Sequence, residues 1–222
     1  MRDFFSFDNT FFRALSRVAD LIILNIAFII CSIPIFTIGA SMTAMNYVTL
    51  KMAENEEGYV LRTFWRSFRQ NFKQATLIWL GMMAAGCVLV LDVLILNGTG
   101  SSFTKIFLIL IFATIILYCM VLLYVFPLLS RFENKILTTV RNAFIISLAD
   151  FPRTLAMLLI TVAAVLLTFL NAYTFWYGLL VWILCGFAAI AYLNSWLFFR
   201  KIFKKYTPQE EEEEVTEDPL QE

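Results

Sequence analysis

An all-α, polytopic transmembrane helix bundle is the fold class this 222-residue chain predicts, and three observations carry it. Hydrophobic residues make up 60% and charged residues 15%, against about 25% charged in an average soluble domain. A soluble protein of this size has no interior able to hide that much apolar surface, so the bilayer is its expected solvent. Apolar runs of spanning length recur along the chain. Lysine and arginine, finally, fall almost entirely on one side of those runs. The expected architecture is four full spans plus an N-terminal helical hairpin, six membrane segments in all, with two amphipathic interfacial helices on the cytoplasmic side. Residues 1–206 form a single membrane domain, divided into a hairpin (10–53) and two blocks (60–129 and 131–203). Residues 207–222 form an acidic tail.

The N-terminus, MRDFFSFDNTFFRALSRVAD, lacks the basic, apolar, small-residue order of a cleaved signal peptide and is expected to stay on the mature protein. Helix one is expected to start near Asp8, with Asp8 or Asn9 as its cap, and to run through LIILNIAFIICSI. Pro34 lacks an N–H and disfavours helix at Ile33, which ends it. A second helical stretch, ASMTAMNYVTLKM, is rich in small and hydroxyl residues of the kind that lets membrane helices approach closely. Each half of this hairpin is short against the roughly 20 residues of a full span. Two tilted spans, a re-entrant pair and one kinked span all remain open.

The stretch LRTFWRSFRQNFKQATLIWL at 61–80 passes from charge into hydrocarbon without a break. On a helix, Leu61, Trp65, Phe68 and Phe72 form one apolar stripe, and Arg62, Arg66, Arg69 and Lys73 form a basic one beside it. That pattern predicts a helix lying in the headgroup layer. Spans follow at 75–96 and 106–129, joined by NGTGSS. RFENKILTTVRNAFIISLAD at 131–150 is a second amphipathic stretch, carrying Arg131, Lys135 and Arg141, with Arg153 just beyond it. Spans at 155–170 and 175–199 follow, with NAYTFWYG read as a short aromatic turn between them. The repeated order of amphipathic helix, span, turn and span suggests an internal duplication. The tail PQEEEEEVTEDPLQE has the composition of disordered chain.

Segments 2–17, 51–73, 131–153 and 200–205 hold 16 of the 17 cations, leaving only Lys105 beside an opposite turn. The positive-inside rule then puts the C-terminus, and with an out-and-back hairpin the N-terminus, in the cytoplasm of a cell-membrane protein. Trp65, Trp79 and Trp196 are expected near the inner border and Trp176 near the outer one.

Chemistry-bearing residues are sparse. There is no histidine, which removes the commonest general base and zinc ligand together. The four cysteines, Cys31, Cys87, Cys119 and Cys185, lie inside apolar runs and are expected to be buried, apolar and unbridged. No Walker, Rossmann, HExxH or GxSxG pattern occurs. No catalytic residue, metal or cofactor is expected, and nucleic acid is not an expected partner. Asp92, the one acid inside a full span, is an intramembrane candidate, although it sits about a turn from the outer end where Lys105 could pair with it. Asn25, Asn46, Asn171 and Asn194 suit hydrogen bonds between helices, and Asn25 and Asn46 could line a polar seam. Arg17 and Asp20 have the i, i+3 spacing of an ion pair. The basic residues Arg62, Arg66, Arg69, Lys73, Arg131, Lys135, Arg141 and Arg153, with Trp65, are expected to contact anionic lipid or a partner protein.

Four blocks carry a family resemblance: FFSFDNTFFRALSRVADLIILN at 4–25, TIGASMTAMNYVTLKM at 37–52, EEGYVLRTFWRSFRQNFKQATLIWL at 56–80, and the charged end after Phe199. Together they resemble the YesL-like family of bacterial integral membrane proteins of unknown function, mainly from Gram-positive species. The resemblance implies a plasma-membrane location and, because such proteins are often encoded beside carbohydrate transporters and polysaccharide-degrading enzymes, a role in carbohydrate uptake or sensing. It supplies no catalytic residues. The expected function is a non-catalytic accessory or regulatory membrane protein. A small solute permease acting on its own is the alternative.

Overall fold

The computed structural model describes residues 10–56, 58–97 and 102–206, and within them the chain is helical throughout, with no strand. Helix α1 covers Thr10–Ser32, a 3-10 turn Ile35–Thr37, α2 Ile38–Ala53, α3 Val60–Asn97, α4 Ser102–Arg131, α5 Ile136–Ala149 and α6 Phe151–Thr168. A final rod joins α7 (Ala172–Val181), α8 (Phe187–Asn194) and α9 (Arg200–Tyr206) through two π turns, Trp182–Gly186 and Ser195–Phe199. The expected caps Asp8 and Asn9, most of the NGTGSS turn and the acidic tail lie outside the described residues. Among the described residues, five helices are long and apolar enough to cross a bilayer: 14–32, 60–96, 104–131, 151–168 and 172–203.

The sixth expected membrane segment, α2, is different in kind. It has 16 residues, about 24 Å of helix, and twelve of them are buried. Small side chains make this enclosure possible: Ala40 and Ala44 are fully buried, and Thr43 turns its hydroxyl back to the Gly39 carbonyl at 2.9 Å. Closest approach is to α3, where a Cβ on Gly39 would stand 2.5 Å from the Ala75 carbonyl oxygen and 2.6 Å from Trp79 Cβ. α2 is therefore the centre of the bundle, packed by α1, α3, α4 and the final rod.

The tip of the α1–α2 hairpin stops halfway along α3. The Trp79 indole donates to the Ile35 carbonyl at 2.8 Å, and Trp79 is the 20th of the 38 residues of α3. About 27 Å of α3 runs on past it. Trp79 thus marks the hairpin tip, in place of the inner border expected of it. Arg17 of α1 meets Met52 and Asn55 at the end of α2, so the chain goes out and returns to the same end. The hairpin tip is thus level with the middle of α3 and both arms end together, while α1 by itself has the length and apolarity of a full span. Beyond the tip, α3 and α4 lean on each other through Tyr118, whose hydroxyl donates to the Met82 carbonyl at 2.8 Å, and both otherwise present exposed apolar side chains such as Val88, Leu94, Ile109 and Phe112.

The basic stretch at 61–73 is part of α3. Residues 60–80 contain no proline or glycine, so nothing bends the helix where charge gives way to hydrocarbon. The side buried within the bundle overlaps only in part with the apolar stripe expected to enter the acyl boundary. Phe64, Phe68, Ala75 and Ile78 face α2, whereas Leu61 and Trp65 are about half exposed. In the second block, by contrast, Asp150 leaves helical geometry (φ −109°, ψ 43°) and Pro152 sits in the first turn of α6, so α5 is a separate helix. The two blocks differ at the very join that suggested a duplication. The aromatic segment after Asn171 is likewise helix: Asn171 caps α7, accepting from the Thr174 N–H at 2.9 Å while the Thr174 hydroxyl accepts from the Asn171 N–H at 3.0 Å.

The core is aromatic where the helices cross. Tyr124 is wholly buried, edge-on to Phe199 at 5.6 Å, with its hydroxyl 2.9 Å from Thr154 Oγ1. All four cysteines are free, and Cys87 is exposed on the outer face of α3, where burial had been expected.

Candidate functional site

The charged segments converge on one end of the bundle, and named contacts tie them together. The Arg17 guanidinium donates to the Met52 carbonyl (2.6 Å), the Tyr192 hydroxyl (2.9 Å) and Asn55 Oδ1 (2.7 Å). It thereby fastens α1 to the end of α2 and to the final rod. Arg131 pairs with Glu54 at 3.2 Å, Lys51 with Glu56 at 2.8 Å, and Asp150 with Arg153 at 3.1 Å and Lys205 at 3.9 Å. Arg200 donates to the Ala53 carbonyl at 3.4 Å. The hydrogen bond from Lys51 holds the Glu56 carboxyl below its ordinary value of 4.5. Asn55 makes this corner possible: its φ of 59° is left-handed, a conformation asparagine tolerates better than most side chains.

A cavity of about 630 Å³ opens here between α1, the end of α2 and the start of α3, with Arg17, Asp20, Lys51, Asn55, Tyr59 and Thr63 among its walls. Arg17 takes acceptors on α2, its loop and the final rod in place of the expected ion pair with Asp20. Asp20 faces the cavity. Asn55 and Tyr192, which complete the Arg17 hub, were missed from the sequence: neither the loop nor the apolar rod gives a periodic signal, and only the folded hairpin brings them to Arg17.

The nine expected contact residues divide by position. Arg62, Arg66, Arg69 and Lys73 are exposed along one face of α3 and form no ion pair or side-chain hydrogen bond among the described residues. Trp65, beside them, stacks on Phe68 at 5.5 Å. Arg131 and Arg153 are engaged in the ion pairs above. Lys135 opens α5, its carbonyl accepting from the Thr139 N–H at 2.9 Å, and Arg141 is exposed on the same helix. The α3 face and the start of α5 are neighbours, because the Gln74 side chain donates to the Asn134 carbonyl.

The intramembrane candidates separate as well. Asn25 is wholly buried, and all its polar atoms serve the π turn of the final rod: Nδ2 donates to the Trp182 (3.0 Å) and Ile183 (2.8 Å) carbonyls, and Oδ1 accepts from the Ala188 N–H at 3.1 Å. Asn46 donates to Met42 in its own helix at 2.8 Å. The two asparagines therefore do not form the polar seam between α1 and α2 that was expected. Within the bundle, Thr49 of α2 instead meets Ser195 of the final rod at 3.0 Å. Asn194 is buried, and its side-chain oxygen has no hydrogen-bond partner among the described residues. Asp92 is partly buried in the C-terminal half of α3 and makes no ion pair with Lys105 among the described residues. No group of three or more metal-ligating side chains occurs among them either.

These features define a helical membrane-type protein with a helical hairpin at its centre and its charge gathered at one end. The chain belongs to the YesL-like family: residues 21–93 match the family described as "Protein of unknown function, DUF624". That match covers the second half of α1, all of α2 and most of α3. The protein YteU of Bacillus subtilis, described as uncharacterized, is 30% identical over 159 residues that cover 71% of this chain and 69% of that protein. YesL of the same organism, also described as uncharacterized, is 28% identical over 71% of this chain and 73% of its own length. No solved structure matches the chain.

Proposed function

We propose that this is an accessory or regulatory protein of the cell membrane that works by contact, through the charged end of its bundle, with a membrane partner engaged in carbohydrate uptake or sensing. The charged end faces the cytoplasm in this reading, in keeping with the positive-inside rule. The observation that carries it is the exposed basic face of α3, which has no ion pair among the described residues. Four cations stand exposed along a helix packed on the central α2, while Arg17, Arg131, Arg153 and Arg200 are engaged in contacts within the fold. Arg69 and Lys73, nearest the apolar half of α3, meet anionic lipid phosphates, and Trp65 flanks them. The carbohydrate connection rests on the family resemblance alone. The chemistry in this reading is non-catalytic.

Crosslinking from exposed positions within 61–73 in native membranes, followed by identification of the captured protein, tests the role. Recovery of a transport or sensing component is the expected result. Charge reversal at Arg62, Arg66 and Arg69 should abolish the capture. Movement of a labelled oligosaccharide by the purified protein in liposomes would overturn the reading in favour of a small solute permease. The buried, unpartnered oxygens of Asn194 and Ser41 favour that alternative, since a conducted solute needs free polar groups inside the bundle.

A further inference from the structure

The cavity at the charged end holds one ionic group that no opposite group satisfies. Among the described residues, the charged side chains lining it are Arg17, Lys51, Asp20 and Glu56. Lys51 and Glu56 neutralise each other at 2.8 Å. Arg17 aims its donors at Met52, Tyr192 and Asn55. Asp20 is half-buried and forms no hydrogen bond or ion pair among the described residues, and Arg17 acts on it only through space. A carboxylate partly withdrawn from water gains most from a donor that carries positive charge. What these walls lack is therefore a cation.

The same corner shows how it holds an ammonium group. Lys51 Nζ lies 2.8 Å from Glu56 and 5.4 Å from the centre of the Tyr47 ring, so a carboxylate and an aromatic face act on it together. Asp20 and Tyr59 bring that pair of groups to the cavity a second time, from α1 and from the entry to α3. Tyr59 is 82% exposed, which leaves its ring open to an incoming cation. Val48, Met52 and Val60 line the cavity too, and all three are buried apolar side chains that suit a short aliphatic stem. The volume of about 630 Å³ is ample for a small amphipathic molecule. The surplus of cations at this end does not turn the cavity into an anion site. Arg62, Arg66, Arg69 and Lys73 are not among its walls, and salt at 0.1 M screens exposed charges beyond about 10 Å.

We infer that this cavity binds a primary ammonium group on a short aliphatic stem, with Asp20 as its counter-charge, Tyr59 as its aromatic face and Val48, Met52 and Val60 against the stem. Asp20 stands where α1 passes from charged sequence into the apolar run at 21–24, the level at which lipid headgroups lie. Two sources bring an ammonium to that level: the ethanolamine headgroup of a membrane lipid and a small free amine. The site is separate from the α3 face that carries the partner-contact reading, and neither depends on the other.

The melting temperature of the full chain in dodecylmaltoside micelles, which carry no charge of their own, gives the test at neutral pH and 0.1 M salt. Ethanolamine is the free probe. Dioleoyl phosphatidylethanolamine carries the same group on a lipid, and dioleoyl phosphatidylglycerol is the lipid without an ammonium. A ligand of the folded state should raise the melting temperature by roughly 3 °C when present at several times its Kd. A rise with ethanolamine assigns the site to free amines, and a rise with phosphatidylethanolamine alone assigns it to the headgroup. In either case the rise should vanish in Asp20→Asn, fall by at least half in Tyr59→Ala and persist in Asp92→Asn, an acid outside the cavity. Should Asp20→Asn not fold, Tyr59→Ala decides, because its exposed ring can be removed without opening the core. No rise with either amine, a rise unchanged in Asp20→Asn or in Tyr59→Ala, or an equal rise with sodium acetate overturns the inference. So does a rise with phosphatidylglycerol that is lost in Asp20→Asn. No partner is present in this assay, so its failure would leave the partner-contact reading standing.

Discussion

Replacing Asn25 by alanine should loosen the bundle more than any other single polar substitution inside it. The π turn at Trp182–Gly186 takes backbone groups out of the regular i to i−4 ladder, and the three bonds from Asn25 serve carbonyls and an N–H of that region at 2.8–3.1 Å. Hydrogen bonds between membrane helices are worth about 0.6 kcal/mol on average and up to about 1.7 kcal/mol. Three together put Asn25→Ala at about 2–4 kcal/mol. Asn46→Ala is the internal comparison: its amide bonds only the Met42 carbonyl one turn back, and its loss should cost less than about 1 kcal/mol. Titration of dodecylmaltoside micelles with SDS, followed by tryptophan fluorescence, measures both. An Asn25→Ala variant within about 0.5 kcal/mol of wild type would refute the clamp, as would an Asn46→Ala variant that is equally damaged.

Gly39→Ala forces a Cβ to within 2.5 Å of the Ala75 carbonyl oxygen, an overpacking that should cost about 1–3 kcal/mol in the same titration. Gly81→Ala, whose Cβ meets nothing within 4 Å, should be neutral or stabilising by up to about 1 kcal/mol. Arg17→Lys keeps the charge but loses the fork that reaches Met52, Tyr192 and Asn55 at once. It should cost about 2 kcal/mol and speed protease cleavage in the 54–59 loop. Because Glu56 is held below 4.5 in the folded protein, its pair with Lys51 contributes stability above that pH and loses it as pH falls through the folded value. The melting-temperature gap between wild type and Glu56→Gln should therefore be constant from pH 8 to 6 and close toward pH 3.

Fold class, span positions and the gathering of charge at one end were legible because hydropathy and the lysine–arginine pattern report directly on the solvent each residue meets. Packing order was not. Ala40, Thr43, Ala44 and Thr49 carry little hydropathy signal, so the most enclosed helix read as the least certain one. The stripe of Leu61, Trp65, Phe68 and Phe72 read as a face for the acyl boundary, but a sequence cannot say which part of an amphipathic helix its neighbours will cover; the bundle covers Phe64 and Phe68 and leaves Leu61 and Trp65 exposed. The helix from Val60 to Asn97 read as two elements because charge changes at Ala75, although nothing in the backbone breaks there. Asn25 stood out as polar in an apolar run, but its partners are backbone atoms more than 150 residues away, which no spacing rule reaches.

The enclosure of α2 sets a schedule for the making of the protein. Its surroundings include residues of the final rod, about 150 positions further along the chain, which at 5–20 residues per second emerge roughly 8–30 s later. In the interval a helix carrying Ser41, Thr43, Asn46 and Thr49 has neither the length nor the apolarity to rest in lipid unaided. The second helix to be synthesised can pack on α3 at once, but its enclosure is completed only when the final rod arrives. A ribosome stalled between α4 and α6 would leave that hairpin without its lid, a ready substrate for an insertase or a membrane protease.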